Sequence, residues 1–379
     1  MLSRLVTRST LNFRNVPQEL HGVGDTDAVL PRVNEEYRLA QHAFSNRRIP
    51  ECLELLQRAE SMGCDADQCA AQRWNCWMLL GRLEQAWRES EAIASRGGPD
   101  PNRLWDGLPF TGKRVIVRCL HGFGDAIQFV RFVNPLRREA AGVIVQTHPQ
   151  LVSLFRGMPE VGRVTTWSDG PGVRGRDWDQ QIEVMELPRA FRTTLRTIPN
   201  GIPYLCVGER YQEQSRLILG PKRKPRVGLL WRGSDWNPAR NVPFTDLRPL
   251  LEMCGVEFYS FQRGANADEL DYLKRKGICD LSGDSPDVTY LAADCLHMDL
   301  VITVDTMTAH LAGALGKPVW VLLPYEADWR WMLERCDSPW YPTMRLFRQC
   351  IRDDWRAPMQ SIERQLNSFV NSIGKPVPH

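Results

Sequence analysis

Long hydrophobic runs are absent from this sequence of 379 residues. The longest strongly apolar runs, such as VWVLL at 319–323, have the length of a β-strand and fall short of the roughly 18 residues needed to cross a bilayer. The first eighteen residues carry three arginines and no acid, but they lack the continuous apolar core of a secretory signal. We therefore expect no membrane span, and we interpret residues 1–30 as a flexible basic tail.

An excess of charge of one sign is also missing. Lys and Arg together number 48 and Asp and Glu 45, which leaves a formal net charge of +3. A nucleic-acid surface needs a clear basic excess, so we do not expect nucleic acid as a partner. The eleven cysteines form no CxxC pair. Such scattered cysteines are typical of reduced thiols in a reducing compartment, which predicts a cytoplasmic protein.

The common motifs of nucleotide and metal chemistry are missing as well. GALGKP at 313–318 has the lysine of a P-loop but neither its spacing nor its hydroxyl, and HGFGDA at 121–126 lacks the third glycine of a dinucleotide fingerprint. No HExxH, GxSxG or clustered Cys/His pattern occurs. The acidic DWD at 177–179 is a candidate DxD motif for a metal-bound diphosphate, but it has no supporting context, and we interpret it as solvated acid around a packed tryptophan. No metal ion and no resident cofactor are therefore expected.

Residues 31–98 are predicted to be helical, because they contain few β-branched residues and show self-similarity at an offset of 34. RRIPEC at 47–52 aligns with GRLEQA at 81–86, so that Cys52 pairs with Ala86. This offset is the length of a tetratricopeptide unit, in which small residues let two helices approach closely. The alternative is a helical cap without repeat ancestry. RGGPDPN at 96–102 is typical of a domain boundary.

From residue 105 onward, strand-like apolar runs alternate with helical patterns, which is typical of an α/β fold with parallel sheets. A stretch with glycine and proline at 201–225 divides this region into two Rossmann-like domains, 105–205 and 222–350. The strands are predicted at 113–120, 142–147, 162–167, 226–231, 256–261, 299–304 and 318–323. Strand ends of both domains should face a shared cleft. The C-terminal region, 351–379, is predicted to form a helix that crosses back to the first domain.

The first candidate site is the loop after the strand at 113–120, which holds Gly122, Gly124 and Asp125. Glycines let the backbone approach a ligand closely, and Asp125 is placed to project into the cleft. We expect these glycines to leave room for an acceptor and a transferred sugar. The alternative is that Asp125 only caps the following helix. A similar HGVGD at 21–25 follows no predicted strand, and we interpret it as coincidence.

The second candidate site is VDTMTAHLAGALGKP at 304–318. Asp305 and Thr306 end a predicted strand, and His310 lies one helical turn further on. The free amides of the helix that begins near Thr306 could hold an anionic phosphate. The alternative is an Asp/Thr helix cap with a packed histidine.

Together with RVGLLWRGSDWNPARNVPF at 226–244 and LLPYEADWRWMLERCDSPWYPTMRLFRQ at 322–349, these loops resemble the heptosyltransferase-type glycosyltransferases of family 9. More narrowly, they resemble the members fused to N-terminal tetratricopeptide-type repeats. The resemblance covers roughly residues 100–350 in consistent order. It implies a GT-B fold of the α/β class, with two Rossmann-like domains facing a cleft and a nucleotide-sugar donor held mainly by the second.

The resemblance also implies roles for individual residues. Asp125 occupies the position of the general base, and Arg240 occupies the position of the basic residue that pairs with the donor phosphate. Asp305, Thr306 and His310 match the donor-binding motif. In that motif Asp305 would contact the nucleoside or sugar, and Thr306 with the following amides would hold the diphosphate. Gly122, Gly124 and Trp231 complete the set of residues predicted to surround the nucleotide.

One departure from the family concerns Leu120 and His121, which stand where related repeat-bearing transferases often carry an acidic-or-amide pair. His121 is either an alternative base or acceptor contact, because imidazole titrates near neutrality, or a hydrogen-bonded structural histidine. The tryptophans at 329, 331 and 340 with Tyr341 could stack on a sugar, but residues so densely aromatic are interpreted as packing.

The predicted function is an inverting, metal-independent transfer of a sugar from a nucleotide-diphosphate sugar to an acceptor hydroxyl on a glycan or a protein. Family analogy favours an ADP-linked heptose for classical members, while the helical region permits a peptide or protein as acceptor or partner, since repeats often present concave peptide-binding surfaces. Two alternatives stay open. One is a non-catalytic repeat scaffold with a degenerate GT-B domain, and the other is a nucleotide-sugar epimerase on the same fold.

Overall fold

The computed structural model describes residues 29–97, 104–167, 177–235 and 237–373. The HGVGD segment, nearly all of the predicted tail and most of the RGGPDPN boundary lie outside these residues. The chain divides into two compact units. The first contains the N-terminal helices together with residues 192–196 and 328–333, and the second contains two β-sheets. Among the described helices, none has the length and apolar character required to cross a membrane.

The first unit contains four N-terminal helices, in which consecutive helices pack as hairpins. They are α1 Val29–Ser45, α2 Ile49–Ser61, α3 Ala66–Leu79 and α4 Leu83–Ser95. The turn before α2 and the turn before α4 are equivalent, because Arg47 and Gly81 have φ angles of 58° and 70°. Cys52 and Ala86, also 34 positions apart, are both buried. The sequence repeat therefore corresponds to two similar helical hairpins in the structure. Their assignment to the tetratricopeptide class stays a prediction.

Two later segments of the chain complete the core of the first unit. The ring of Trp329 meets that of Trp74 edge-on, with centroids 5.4 Å apart. Met332 joins the same cluster, and the indole N–H of Trp87 donates to the carbonyl of Thr193 over 2.7 Å. Trp331 is fully buried. The aromatic segment around 329–331 therefore packs a core, which confirms the interpretation made from its composition.

In the second unit, the first sheet is parallel and has the strand order β3-β2-β1-β4. Its strands are β1 Arg114–Arg118, β2 Gly142–Gln146, β3 Arg163–Thr165 and β4 Gln180–Glu183. The helices α5 Phe123–Phe129, α6 Val133–Glu139 and α7 Val152–Phe155 lie between these strands in the chain, and α8 Leu187–Ala190 follows β4. A 3-10 turn at Val130–Phe132 separates α5 from α6. Because β1 is central, the loop that follows it lies in the middle of the sheet edge.

The second sheet is also parallel, with the order β10-β9-β8-β5-β6-β7. Its strands are β5 Arg226–Leu230, β6 Glu257–Ser260, β7 Cys279–Asp280, β8 Leu300–Val304, β9 Val319–Leu323 and β10 Met344–Arg348. Its helices are α9 Glu209–Leu219, α10 Phe244–Leu251, α11 Ala267–Arg275, α12 Val288–Leu296, α13 Met307–Ala314 and α14 Arg356–Ile373. The predicted α/β class with parallel sheets is confirmed, and every predicted strand is present. The sequence did not predict β4, β7 or β10.

The C-terminal helix α14 differs from its prediction. Instead of crossing back to the first sheet, it places Met359, Ile362 and Leu366 in the hydrophobic core of the second sheet. Phe369 meets Trp320 of β9 with ring centroids 6.0 Å apart. Helix α14 directly follows β10, so a short connection is enough to bury its apolar face in the core of the second sheet. This is the physical reason for the difference.

Gly228 in the central strand β5 is a position where any side chain should destabilise the fold. A Cβ atom there would lie 2.3 Å from Cε2 of Phe261, which is itself buried. We expect Gly228→Ala to reduce the free energy of unfolding by about 2 kcal/mol or more, as overpacked cores do. Denaturant unfolding measures this. The matched control is Gly142→Ala in β2, where the nearest atom would be 3.9 Å away; equal losses for both variants would contradict the prediction.

Candidate active site

The loop after β1 carries the first group of predicted site residues. Gly122 precedes α5, and its backbone N–H donates to Oδ2 of Asp125 over 3.0 Å. Asp125 is half-buried. The capping interpretation of Asp125 is therefore confirmed for one carboxylate oxygen. The same bond orients the carboxylate, which a general base also requires, so capping and catalysis are compatible at this residue.

His121 is held by contacts on both its backbone and its ring. Its carbonyl oxygen lies 2.6 Å from Nε2 of His148, which therefore donates to it. Its own Nε2 lies 3.9 Å from Oε1 of Glu183. His148 in turn packs against Phe123, with ring centroids 4.8 Å apart. These contacts favour the structural alternative for His121 over a role as base.

Glu183 is a residue of this region that the sequence did not single out. It ends β4 beside β1, its side chain is 1% exposed, and Oε2 accepts the backbone N–H of Met185 over 2.5 Å. Burial, together with the neighbouring carboxylates of Asp125 and Glu186, raises the pKa of Glu183 to about 8. A protonated carboxyl group therefore lies beneath the glycine loop at neutral pH.

The loop between β8 and α13 carries the second group. Asp305 is buried, and Thr306 has the extended backbone of a residue that immediately precedes a helix. The Thr306 side chain makes no capping hydrogen bond, and its hydroxyl lies 3.3 Å from that of Thr303. The capping alternative is therefore not realised by the threonine hydroxyl. An N-terminus of this kind can direct backbone amides at an anion.

Arg240 places a positive charge beside the loop between β8 and α13. It is buried, and its Nη1 donates to the carbonyl oxygen of Asp305 over 2.7 Å. At Gly233, in the loop after β5, a Cβ atom would lie 3.1 Å from Nη2 of Arg240 and 3.2 Å from Cγ2 of Thr306. The loops after β5 and β8 therefore approach each other closely at this glycine. The guanidinium therefore lies beside the first turn of α13.

The two groups of predicted residues meet at Gly124. A Cβ atom there would lie 3.0 Å from Cδ2 of His310 and 3.6 Å from Cα of Met307. The glycine loop of the first sheet therefore packs directly on the first turn of α13. The space left by the missing side chain is filled by the imidazole, so it does not leave room for substrate as the sequence suggested.

Trp231 lies away from any surface that a ligand could contact. Its side chain is 1% exposed and belongs to the core of the second sheet, where its ring meets Phe244 with centroids 5.3 Å apart. Its Nε1 lies 3.4 Å from Oε1 of Glu269. This placement differs from the predicted contact with nucleotide, because the apolar indole is buried in the core of the sheet instead of facing solvent.

The acidic DWD segment lies at the opposite edge of the first sheet. Asp179 forms an ion pair with Arg114 at the start of β1, with Nη2 and Oδ1 2.8 Å apart. Hydrogen bonds from the Arg114 guanidinium and backbone lower the pKa of Asp179. In the part of the chain that the structure describes, no group of three or more His, Cys, Asp or Glu side chains is arranged to hold a metal ion.

Comparison with known proteins places these features in context. No protein-family model matches the chain. Protein FlbA of Caulobacter vibrioides is 27% identical over 406 residues, with 93% of this chain and 66% of FlbA aligned. The chain thus spans about two thirds of the length of this relative.

Among solved structures, the E. coli ADP-heptose LPS heptosyltransferase II is similar with a TM-score of 0.51 at 14% identity, covering 69% of this chain and 100% of that chain. A glycosyl transferase family 9 protein from Veillonella parvula has a TM-score of 0.49 at 12% identity, covering 72% of this chain and 92% of that chain. The E. coli structure and this chain are therefore similar in fold. The protein therefore has an α/β fold of the GT-B type preceded by a helical region.

Proposed function

We propose that this protein is an inverting glycosyltransferase that moves a sugar from a nucleotide-diphosphate sugar to an acceptor hydroxyl on a glycan or a protein, without a metal ion. The observation that carries the proposal is the contact between Gly124 and His310. It brings a loop with an oriented carboxylate against a helix N-terminus beside a buried arginine. Sugar transfer requires a base and an anion site at this short separation.

The departing group determines what the second loop must do. As the bond between the anomeric carbon and the diphosphate breaks, negative charge develops on the leaving oxygen. The Arg240 guanidinium and the first-turn amides of α13 are preorganised donors of positive potential, and they support charge stabilisation without a metal ion. The nucleotide diphosphate would therefore lie over the first turn of α13.

The accepting hydroxyl determines what the first loop must do. Asp125 would take its proton while the oxygen attacks the anomeric carbon from the face opposite the diphosphate. One carbon–oxygen bond forms as the other breaks, and the proton goes to the carboxylate. A single displacement of this kind inverts the anomeric configuration.

A donor screen followed by product analysis tests the proposal. We expect one of ADP, UDP or GDP to raise the melting temperature of the protein, and the corresponding nucleotide sugar to do the same. A ligand that binds only the folded state stabilises that state. The matching labelled nucleotide sugar should release nucleotide in the presence of acceptor, and NMR should show an inverted anomeric centre at an unchanged rate in EDTA. No release with any donor would favour the scaffold, and an isomerised sugar the epimerase. Loss of activity in EDTA would contradict metal independence.

Arg240→Met is expected to lower kcat/KM by about 10²–10³-fold, the effect typical of losing one donor to a developing anion. The same variant should lose most of the melting-temperature gain given by the nucleoside diphosphate. Arg248→Met on α10 is the control, because its guanidinium is exposed and stacks on Tyr272 at 5.1 Å. Arg240→Lys keeps the charge and should recover part of the loss. Unchanged donor binding in Arg240→Met would contradict the role.

A further inference from the structure

The end of helix α9 exposes two large aliphatic side chains to solvent. Leu217 is 79% exposed and Ile218 is 58% exposed. The buried face of α9, which packs on α12, is formed by Tyr211, Ser215 and Leu219. Leu217 lies two positions from both Ser215 and Leu219, so it points away from that face. Adjacent aliphatic side chains with this exposure are unusual on a protein surface and mark a site of interaction.

The turn after α9 adds basic residues to the same surface. The chain turns at Gly220, which has a φ of 62°, and then runs directly into β5. Lys222, Arg223 and Lys224 in this turn are exposed. Lys222 pairs with Asp299, with Nζ and Oδ1 2.6 Å apart, whereas Arg223 and Lys224 form no ion pair with any residue that the structure describes. We define the α9 surface as Leu217, Ile218, Lys222, Arg223 and Lys224.

The region behind the α9 surface also carries an excess of positive charge. Burial lowers the pKa of His297, and the charges of Arg216, Arg226 and Lys317 lower it further, with no carboxylate acting against them. Glu213 on α9 offsets one charge of the region. Three other acids are each next to one cation, Glu209 to Arg216, Asp299 to Lys222 and Glu257 to Arg226. The charges of Arg223, Lys224 and Lys317 therefore exceed the acids that face them.

The α9 surface lies at the opposite edge of the second sheet from the candidate active site. It immediately precedes β5, and Asp299, the partner of Lys222, immediately precedes β8. Gly233 and Thr306 follow the carboxyl ends of the same two strands. Each strand has five residues, which separates the two edges by about 16 Å. A partner bound to the α9 surface therefore leaves the loops after β5 and β8 accessible.

We propose that the α9 surface docks the protein on an anionic lipid bilayer. Lys222, Arg223 and Lys224 lie at the headgroups, and Leu217 and Ile218 insert at the boundary with the acyl chains. Exposed aliphatic side chains beside a basic cluster bind membrane surfaces through these two contributions together. The inference does not rest on the proposed function, because the α9 surface contains none of the candidate site residues.

Other partners fit the α9 surface less well. A second copy of the chain in a two-fold dimer would place the same basic residues opposite one another, and like charges repel. A nucleic acid is held mainly through its phosphates, to which protruding aliphatic side chains contribute nothing. A peptide needs a groove for its side chains, whereas Leu217 protrudes with most of its surface in water.

Vesicle cosedimentation of the full chain tests the inference. We expect the protein to sediment with vesicles of equal parts phosphatidylglycerol and phosphatidylcholine, and to stay in solution with phosphatidylcholine alone. Salt should weaken the binding, because the Debye length falls from about 10 Å at about 0.1 M to about 3 Å at about 1 M. Leu217→Ser combined with Ile218→Ser should lower the partition coefficient about 10²-fold, since two inserted aliphatic groups are lost. Ile351→Ser is the control, because that side chain is 66% exposed outside the α9 surface.

A second pair of variants tests the basic residues. Arg223→Gln combined with Lys224→Gln should lower the partition coefficient about 30-fold, the effect expected for two basic residues at an anionic surface. The matched control is Lys274→Gln combined with Arg275→Gln, an exposed basic pair in the last turn of α11. All of these side chains are exposed, so the melting temperature should stay close to that of the unaltered protein.

The remaining outcomes would overturn the inference or separate it from the proposed function. No sedimentation with the phosphatidylglycerol vesicles would overturn it, and so would binding that is insensitive to Leu217→Ser and Ile218→Ser. A dimer that these two substitutions abolish, or tighter binding to polyglutamate than to vesicles, would assign the α9 surface to a second copy or an acidic protein instead. Vesicle binding as expected without turnover of any nucleotide sugar would overturn the proposed function and support the docking.

Discussion

Asp125→Asn is expected to lower kcat for sugar transfer by about 10²–10⁴-fold, the usual contribution of a general base. The amide cannot take a proton from the acceptor hydroxyl. It does keep an oxygen that can accept the Gly122 N–H, which now bonds the carboxylate at 3.0 Å, so the start of α5 should be preserved. Binding of the nucleoside diphosphate that raises the melting temperature should therefore stay close to that of the unaltered protein.

Two further variants make the result for Asp125 interpretable. Asp125→Ala removes base and cap together, and we expect it to add a loss of about 1 kcal/mol in the free energy of unfolding. His121→Asn tests the alternative base, and we expect it to retain most of the activity because its ring faces Glu183. Full activity in Asp125→Asn combined with its loss in His121→Asn would reverse the assignment of the base.

The fold was predictable where the sequence itself carries the pattern. Strands such as β8 and β9 are continuous apolar runs, and their complete burial in the sheet is what such runs predict. Strand β4 was not predictable, because its sequence QQIE is mostly polar. The Gln180 side chain in it is buried through a bond from its amide to the carbonyl of Leu108 at 3.0 Å, and such a distant partner leaves no local signal.

The sequence was enough to predict which loops form the site, but not which side chains touch each other there. Family resemblance selected Asp125, Arg240 and His310, and the parallel sheets bring the loops that carry them together. It also selected Trp231, although a motif match does not tell which way a side chain points. The bond between Tyr341 and His310 joins residues 31 positions apart. Nothing in the sequence distinguishes that tyrosine from its equally buried neighbour Trp340.

The buried carboxyl group of Glu183 makes the stability of the second unit depend on pH. Its pKa is about 8 in the folded protein against a usual value of 4.5, so between these values the folded state holds a proton that the unfolded state releases. The contribution of Glu183 to the free energy of unfolding should therefore be largest below about pH 4.5 and fall as the pH rises toward 8, in total by on the order of 5 kcal/mol. Glu183→Gln mimics the protonated form and should abolish this loss.

Denaturant unfolding between pH 6.5 and 8 reports mainly on Glu183, because burial raises the pKa of Asp294 only to about 6 and that group is largely ionised in this range. Over this range the unaltered protein should lose roughly 2 kcal/mol more than Glu183→Gln. Glu213→Gln, an exposed site on α9, should behave like the unaltered protein. The glutamine keeps an oxygen for the Met185 N–H, so a changed slope would come from the proton alone. Parallel pH dependences for the unaltered protein and Glu183→Gln would show that Glu183 is ionised beneath the glycine loop.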